Sequence, residues 1–284
     1  MHGGLISMKR IHFFSITKIN ILRIISTCLM AIIIIFLNVI YFSNYNLTLS
    51  TTSNGNVNNG KTSKLAIIID DFGQNRRGVK EMMSINRHLT FAIMPFMTFT
   101  RQDAEEAHKK GFEVIVHLPM ESNSGKLSWV GPRPILTAMS DQEVYQIVMD
   151  SFESVPYALG ANIHMGAKAG QDERIISDVL DVIKAKGLYF VDSRACRHPI
   201  AKGIADEKGV LCFDRNFFLD GQKPKSYIIN QLFKAGDMAL EKGFAVAIGH
   251  VGTEGGTVTA EAIKEMLPEF DKKNIQLVFV SELR

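Results

Sequence analysis

LAIIIDDFG, residues 65–73, is an unbroken apolar run that ends in two acids, an aromatic residue and a glycine. A run rich in Ile with no polar alternation reads as a strand buried on both faces, the pattern of a parallel sheet covered by helices. Seven further runs share this character: 89–93, 112–116, 159–163, 188–191, 210–213, 244–248 and 277–280. Amphipathic stretches separate them. Residues 101–110 and 172–186 each end in Lys and are followed by Gly111 and Gly187, which stop helices. Ser140-Asp141-Gln142-Glu143 is a capping box that opens a helix to about residue 154. Residues 224–242 and 257–273 have the same helical pattern. Strand and helix alternating in this way predict an α/β domain with about seven parallel strands. No glycine-rich dinucleotide fingerprint follows a strand, so a closed or nearly closed (β/α) barrel is expected rather than an open doubly wound sheet.

The rest of the chain is organised differently. Of 284 residues with a net charge of +3, the first 63 hold Lys9, Arg10, Lys18, Arg23 and Lys61 and no acid. The remainder holds 27 basic residues against all 29 acidic ones, so no basic face argues for nucleic acid. Residues 24–42, IISTCLMAIIIIFLNVIYF, carry no charge. As a helix they span about 28 Å, the thickness of a hydrocarbon core. The basic residues 1–23 precede the run, which keeps the N-terminus cytoplasmic and exports the rest. A cleaved signal peptide is the competing reading, but its apolar region is normally shorter and a small-residue cleavage site follows it. Residues 43–63 are rich in Asn, Ser, Thr and Gly and read as a flexible linker. The expectation is a domain over 64–284, on the periplasmic or extracellular side of the cytoplasmic membrane and tethered through residues 24–42. Cys28 lies in the apolar run; Cys196 and Cys212 lack metal or redox spacing, and their pairing is left open.

The polar residues that follow the strands carry the chemistry. They include Asp70-Asp71, His117, Glu121, His164, Asp192-Ser193-Arg194, Asp214-Arg215 and His250. In a β/α barrel these positions gather on the C-terminal rim, where active sites lie. Three His after three different strands exceed what helix capping explains. Asp71, His117 and His164 supply one carboxylate and two imidazoles, a donor set suited to zinc or a similar divalent ion with a position left for water. Asp70 is then free to act as general base. Adjacent residues of a strand point to opposite sides, so a twist is needed for both acids to reach the centre, and Gly73 is the expected source. Trp129, the only Trp, lies in the loop SWVGPRP at 128–134 and either stacks on a sugar or packs the loop down.

The stretches IIIDDFG (67–73), FAIMPF (91–96), VHLPME (116–121), NIHMGAK (162–168), YFVDSR (189–194) and AIGH (247–250) resemble the divergent polysaccharide deacetylase family. That family is a distant branch of the polysaccharide deacetylase (NodB-homology) superfamily. The resemblance covers about residues 64–283. It implies a distorted (β/α) barrel and metal-dependent removal of acetyl groups from N-acetylated sugars, here of an envelope glycan. It assigns Asp70 as base and Asp71 as metal ligand. The superfamily's pair of metal-binding His four residues apart maps onto His117 and Glu121, so one ligand is changed. His164 replaces it, or Glu121 itself binds metal. His250 matches the general acid in order, with Asp192 or Asp214 as the carboxylate that orients it. Arg194 holds a substrate group or pairs with an acid. The changed metal motif keeps two other readings open: a weak or inactive module that binds envelope glycan, and a metal-dependent hydrolase of another bond.

Overall fold

The computed structural model describes residues 29–30, 32–35 and 62–284, apart from 124, 254 and 284. The chain divides into two units, Met1–Gly60 and Lys61–Arg284. In the first unit the described residues are helical and exposed. The expected membrane run 24–42 and the linker 43–63 lie largely outside the described residues. Among the described residues no helix is long and apolar enough to cross a membrane.

The second unit is built on nine parallel strands: β1 (Ser63–Phe72), β2 (Thr90–Ile93), β3 (Glu113–Met120), β4 (Ala158–Met165), β5 (Tyr189–Asp192), β6 (Cys212–Asp214), β7 (Phe217–Phe218), β8 (Phe244–His250) and β9 (Ile275–Val278). Their spatial order is β6-β5-β4-β3-β2-β1-β8-β7. The first strand has three partners. β8 pairs with it along Lys64–Asp70, β9 with its start at Ser63–Ala66, and β2 with its end at Ile68–Phe72. The expected strands are present and mostly longer toward their C-termini; β7 is added. The open edges are bridged by the two residues after β6. Arg215 N–H donates to Asp192 O, and Asn216 N–H donates to Val246 O. The result is a distorted barrel, as the sequence predicts.

Alternation along each strand sorts the core into two layers. Leu65, Ile67 and Ile69 pack outward against the helices, with Val114, Val116, Ala161 and Ile163. Ala66, Ile68, Ile115, Val191, Phe213, Val246 and Ile248 fill the barrel interior. The period of two then places the next inward residue of several strands at the rim. After Ile68 comes Asp70, after Ile115 comes His117, and after Ile248 comes His250. At the opposite end the same columns start with buried Glu113. Its Oε1 accepts hydrogen bonds from Thr90 Oγ1, Tyr189 OH and Val280 N–H, which ties the C-terminal segment across the barrel floor.

Helices Thr100–Lys109, Asp141–Ser154, Glu173–Ala185, Lys225–Lys242 and Thr257–Lys272 match the expected ones to within a few residues. Ser140 forms the expected capping box with Glu143. Short helices Val79–Met82, Leu127–Val130 and Ala201–Lys208 were not legible, because each is four to eight residues long. Cys196 and Cys212 are both free thiols.

Candidate metal centre and cleft

Asp70 is the inward residue at the end of β1 and is buried. Asp71 has the outward parity of Leu65, Ile67 and Ile69. It reaches the interior because its own backbone is left-handed (φ 70°), at a register shift between β1 and β2. The twist therefore lies at Asp71 and not, as expected, at Gly73. Gly73 (φ 95°) turns the chain afterwards and donates its N–H to Asp103 Oδ2.

His117 and His164 come from neighbouring strands, where His117 sits beside Asn162 and Pro119 beside His164. Asp71 Oδ1 lies 3.5 Å from His117 Nε2 and 3.3 Å from His164 Nδ1, and the two nitrogens are 3.0 Å apart. These separations match the edges of a ligand tetrahedron around a zinc ion, about 3.4 Å for bonds of about 2.1 Å. Asp71 Oδ1 is buried and accepts no hydrogen bond from a described residue. An orphaned carboxylate oxygen facing two imidazole nitrogens fits a divalent cation. These three residues also form the one His/Cys/Asp/Glu cluster suited to a metal among the described residues.

Asn162, fully buried, fixes the chemistry of this cluster. Its Nδ2–H donates to Asp70 Oδ1 at 2.8 Å. A carboxylate only accepts, so this bond orients the amide and leaves Asn162 Oδ1 to accept from His117 Nδ1–H at 2.7 Å. His117 therefore carries a proton on Nδ1 and presents Nε2 to Asp71. Beside it, His164 Nε2 lies 3.5 Å from Trp129 O, which leaves Nδ1 for the cluster.

The charges are set by burial first. Burial lifts the Asp70 carboxyl above its ordinary value, against the pull of His117, His250 and Asn162. It opposes the charge of Asp71 as well, but His117 and His164 outweigh it and hold that carboxyl below the usual range. Burial pushes the His117 imidazolium down, and Asp70 and Asp71 overcome it, so its pKa is raised.

His250 ends β8, paired in register with Asp70. Its Nδ1–H donates to Asp220 Oδ1 at 2.8 Å. Asp220 Oδ2 accepts from the His250 backbone N–H and from Thr259 Oγ1–H, both at 2.8 Å. Burial alone would lower the pKa of His250, but Asp220, then Asp70 and Asp71, raise it to about 9. The orienting carboxylate is thus Asp220, which the sequence reading missed in favour of Asp192 or Asp214. Asp192 is occupied with the Arg194 backbone N–H, and Asp214 pairs with the Arg194 guanidinium at 3.5 Å.

Glu121 stands away from the cluster. Its carboxylate accepts from Lys168 Nζ, Thr137 N–H and Thr137 Oγ1, and Lys168, followed by Thr137, holds its pKa down at about 2. A cleft of about 600 Å³ opens over Asp70, Asp71, His117, His164 and His250. Trp129 lines it and is 64% exposed, so it does not pack its loop down. The arginine on the cleft wall is Arg215, not Arg194. A second hollow of about 630 Å³ lies beside Arg87, His88 and Phe112 at the other end of the barrel, away from the cluster.

The profile of the divergent polysaccharide deacetylases matches residues 67–284, the whole barrel except the first residues of β1. The chain belongs to the divergent polysaccharide deacetylase family. It is 33% identical over 187 residues to the uncharacterized protein YibQ of Escherichia coli K12, a match spanning 66% of this chain and 58% of that one. It is 32% identical over 222 residues to an uncharacterized protein of Haemophilus influenzae, spanning 78% and 76%. In fold, this deacetylase relative superposes on an uncharacterized protein of Agrobacterium tumefaciens C58 with a TM-score of 0.72, at 18% identity over 81% of this chain and 92% of that one. A polysaccharide deacetylase-like structure from Mycobacterium smegmatis gives 0.53, at 12% identity over 81% and 91%. At such identities the likeness concerns the barrel alone.

Proposed function

We propose that this divergent polysaccharide deacetylase is a metal-dependent hydrolase that removes acetyl groups from N-acetylated sugars of an envelope glycan. The observation that carries the reading is the orphaned Asp71 Oδ1 facing His117 and His164, with Asp70 and His250 beside it. Asp71, His117 and His164 would hold the ion, and its donor set favours Zn²⁺. Bound there, a divalent ion supplies Lewis acidity toward the acetamide carbonyl and the attacking water.

The protein side of the reaction follows from the positions of the protons. Asp70 has one oxygen committed to Asn162, and Oδ2, 3.6 Å from His117 Nε2, is the oxygen left to take the proton of the attacking water. His250 donates its Nδ1–H in a hydrogen bond to Asp220 and carries a second proton on Nε2 for the departing nitrogen. Asp220 raises its pKa against burial, which favours the protonated form that a general acid needs. Trp129, exposed on the cleft wall, offers a face on which a sugar ring can stack. The chain is further proposed to be held at the cytoplasmic membrane by residues 24–42, with the barrel on the outer side.

The test is acetate release by the purified, zinc-loaded full chain from chito-oligosaccharides and peptidoglycan fragments. Asp70→Asn should lower release at least about a hundredfold and leave the bound zinc in place. A chain that captures glycan without metal and releases no acetate would refute the hydrolase reading in favour of a binding module.

A further inference from the structure

We propose that Arg215 makes the cleft selective for an N-acetylated glycan that carries a carboxylate, with its guanidinium holding that carboxylate. The inference rests on the reading of the cleft as a glycan site and names the class of glycan.

Arg215 follows β6 with the inward parity of Phe213, and its guanidinium lies on the cleft wall. Two donors are committed to backbone. Nε–H donates to Ser193 O at 2.6 Å and Nη2–H to Arg194 O at 3.2 Å. The guanidinium also lies over the Phe218 ring, 5.1 Å from its centroid. These contacts fix the group but leave its charge unmatched. Asp70 and Asp192 attract it, yet no described carboxylate comes within ion-pair distance. Its neighbour Arg194, by contrast, is paired with Asp214 at 3.5 Å. The other described arginines without a carboxylate partner, Arg77 and Arg197, are exposed to water, whereas Arg215 is half-buried. Burial, reinforced by Arg194, disfavours its charge.

A half-buried cation held rigid and left unpaired in a cleft is an unmet demand for an anion. A neutral acetamido sugar does not meet it. A carboxylate does, because the planar fork still has donors to offer. The position is suited to a group on the same substrate. Phe218 touches both the Arg215 guanidinium and the His250 ring, the latter at 4.7 Å between centroids. The proposed carboxylate site and the proton donor thus share one aromatic neighbour. A divalent ion on Asp71, His117 and His164 would leave the cleft with net positive charge, which again favours an acidic glycan.

The experiment is calorimetric titration of the zinc-loaded full chain with glycan fragments of N-acetylglucosamine and N-acetylmuramic acid. The same fragments with the muramic carboxylates methyl-esterified are the control. The wild type should bind the acid at least about tenfold more tightly than the ester. Arg215→Gln should bring the two within about twofold. Arg215→Lys should retain part of the preference. Equal affinity of the wild type for acid and ester, or no measurable affinity for either, overturns the proposal. So does an Arg215→Gln variant that weakens both ligands alike, because the side chain would then only support the loop through Ser193 and Arg194. If that variant fails to fold, the wild-type comparison of acid with ester still decides. An acid preference without acetate release sinks the deacetylase reading and keeps Arg215; acetate release without an acid preference does the reverse.

Discussion

Replacing Asp220 by Asn removes one charge and one acceptor at nearly constant volume. The side chain has no exposure, and its two oxygens accept three hydrogen bonds, from His250 Nδ1–H, His250 N–H and Thr259 Oγ1–H. These bonds and the charge behind them, with smaller contributions from Asp70 and Asp71, hold the pKa of His250 at about 9, although burial pulls it the other way. Without the carboxylate, only Asp70 and Asp71 oppose burial, and the imidazole should titrate near its ordinary value of about 6.5. At pH 8 the protonated fraction then falls from roughly 0.9 to roughly 0.03. The direct assay is an NMR titration of the His250 ring in the metal-free chain, where activity plays no part. Stability must follow the same shift. A folded-state pKa above the unfolded one means that the native chain holds the proton more tightly. The stabilisation is complete below about pH 6.5 and is lost as pH rises through about 9. Its ceiling is about 3 kcal/mol, and Asp220→Asn should erase that pH dependence. At pH 6 the variant should also lose about 2–4 kcal/mol, because one amide oxygen must serve three buried donors. The reasoning is refuted if His250 titrates near 6.5 in the wild type or still near 9 in the variant.

Two further outcomes bear on the cluster itself. Asp71→Asn, His117→Ala and His164→Ala should each weaken zinc binding by about tenfold or more, read by equilibrium dialysis, whereas Glu121→Gln should leave it unchanged. Zinc lost with Glu121→Gln but retained with His164→Ala would reverse the ligand assignment. Asn162→Ala should destabilise the metal-free chain by about 2–4 kcal/mol in urea unfolding, since it strips partners from buried Asp70 and His117 together; a loss below about 1 kcal/mol would mean that water or a rearrangement replaces the amide.

What the sequence disclosed and what it withheld follow from one difference. Long buried strands have a strong local signature, so β1, β3, β4 and β8 were legible, and with them the rim positions of Asp70, His117, His164 and His250. Asn162 was legible in principle, since it lies two residues before His164 on the same face of β4. It was passed over because an amide is not itself a catalytic type. Asp220 was not legible. It follows β7, a strand of two residues whose existence depends on pairing with β8 and on the bridge made by Arg215 and Asn216. No local pattern encodes such a strand, because its partners lie far along the chain. Glu121 shows the opposite error. Its spacing from His117 suggested a ligand, but the chain turns after Met120, and the carboxylate is taken up by Thr137 and Lys168.

Asp71 concentrates the costs of the site. A left-handed backbone is strained at a residue with a Cβ, although Asp is among the side chains that tolerate it best. Without that conformation Asp71 would follow Leu65, Ile67 and Ile69 into the layer of the helices, and the cluster would lose its carboxylate. Once turned inward, Asp71 has Oδ1 buried with no hydrogen bond from a described residue, and only the charges of His117 and His164 offset its burial. The turn is held in place by what surrounds it: the shifted register to β2, the full-length pairing with β8, and Gly73 anchored on Asp103. None of these relieves the orphaned oxygen. A cation shared with His117 and His164 would, and binding one would then recover part of what the turn costs. Backbone strain held in place by its surroundings clusters at functional sites, which supports the proposed assignment of Asp71, rather than the better hydrogen-bonded Asp70, to the metal.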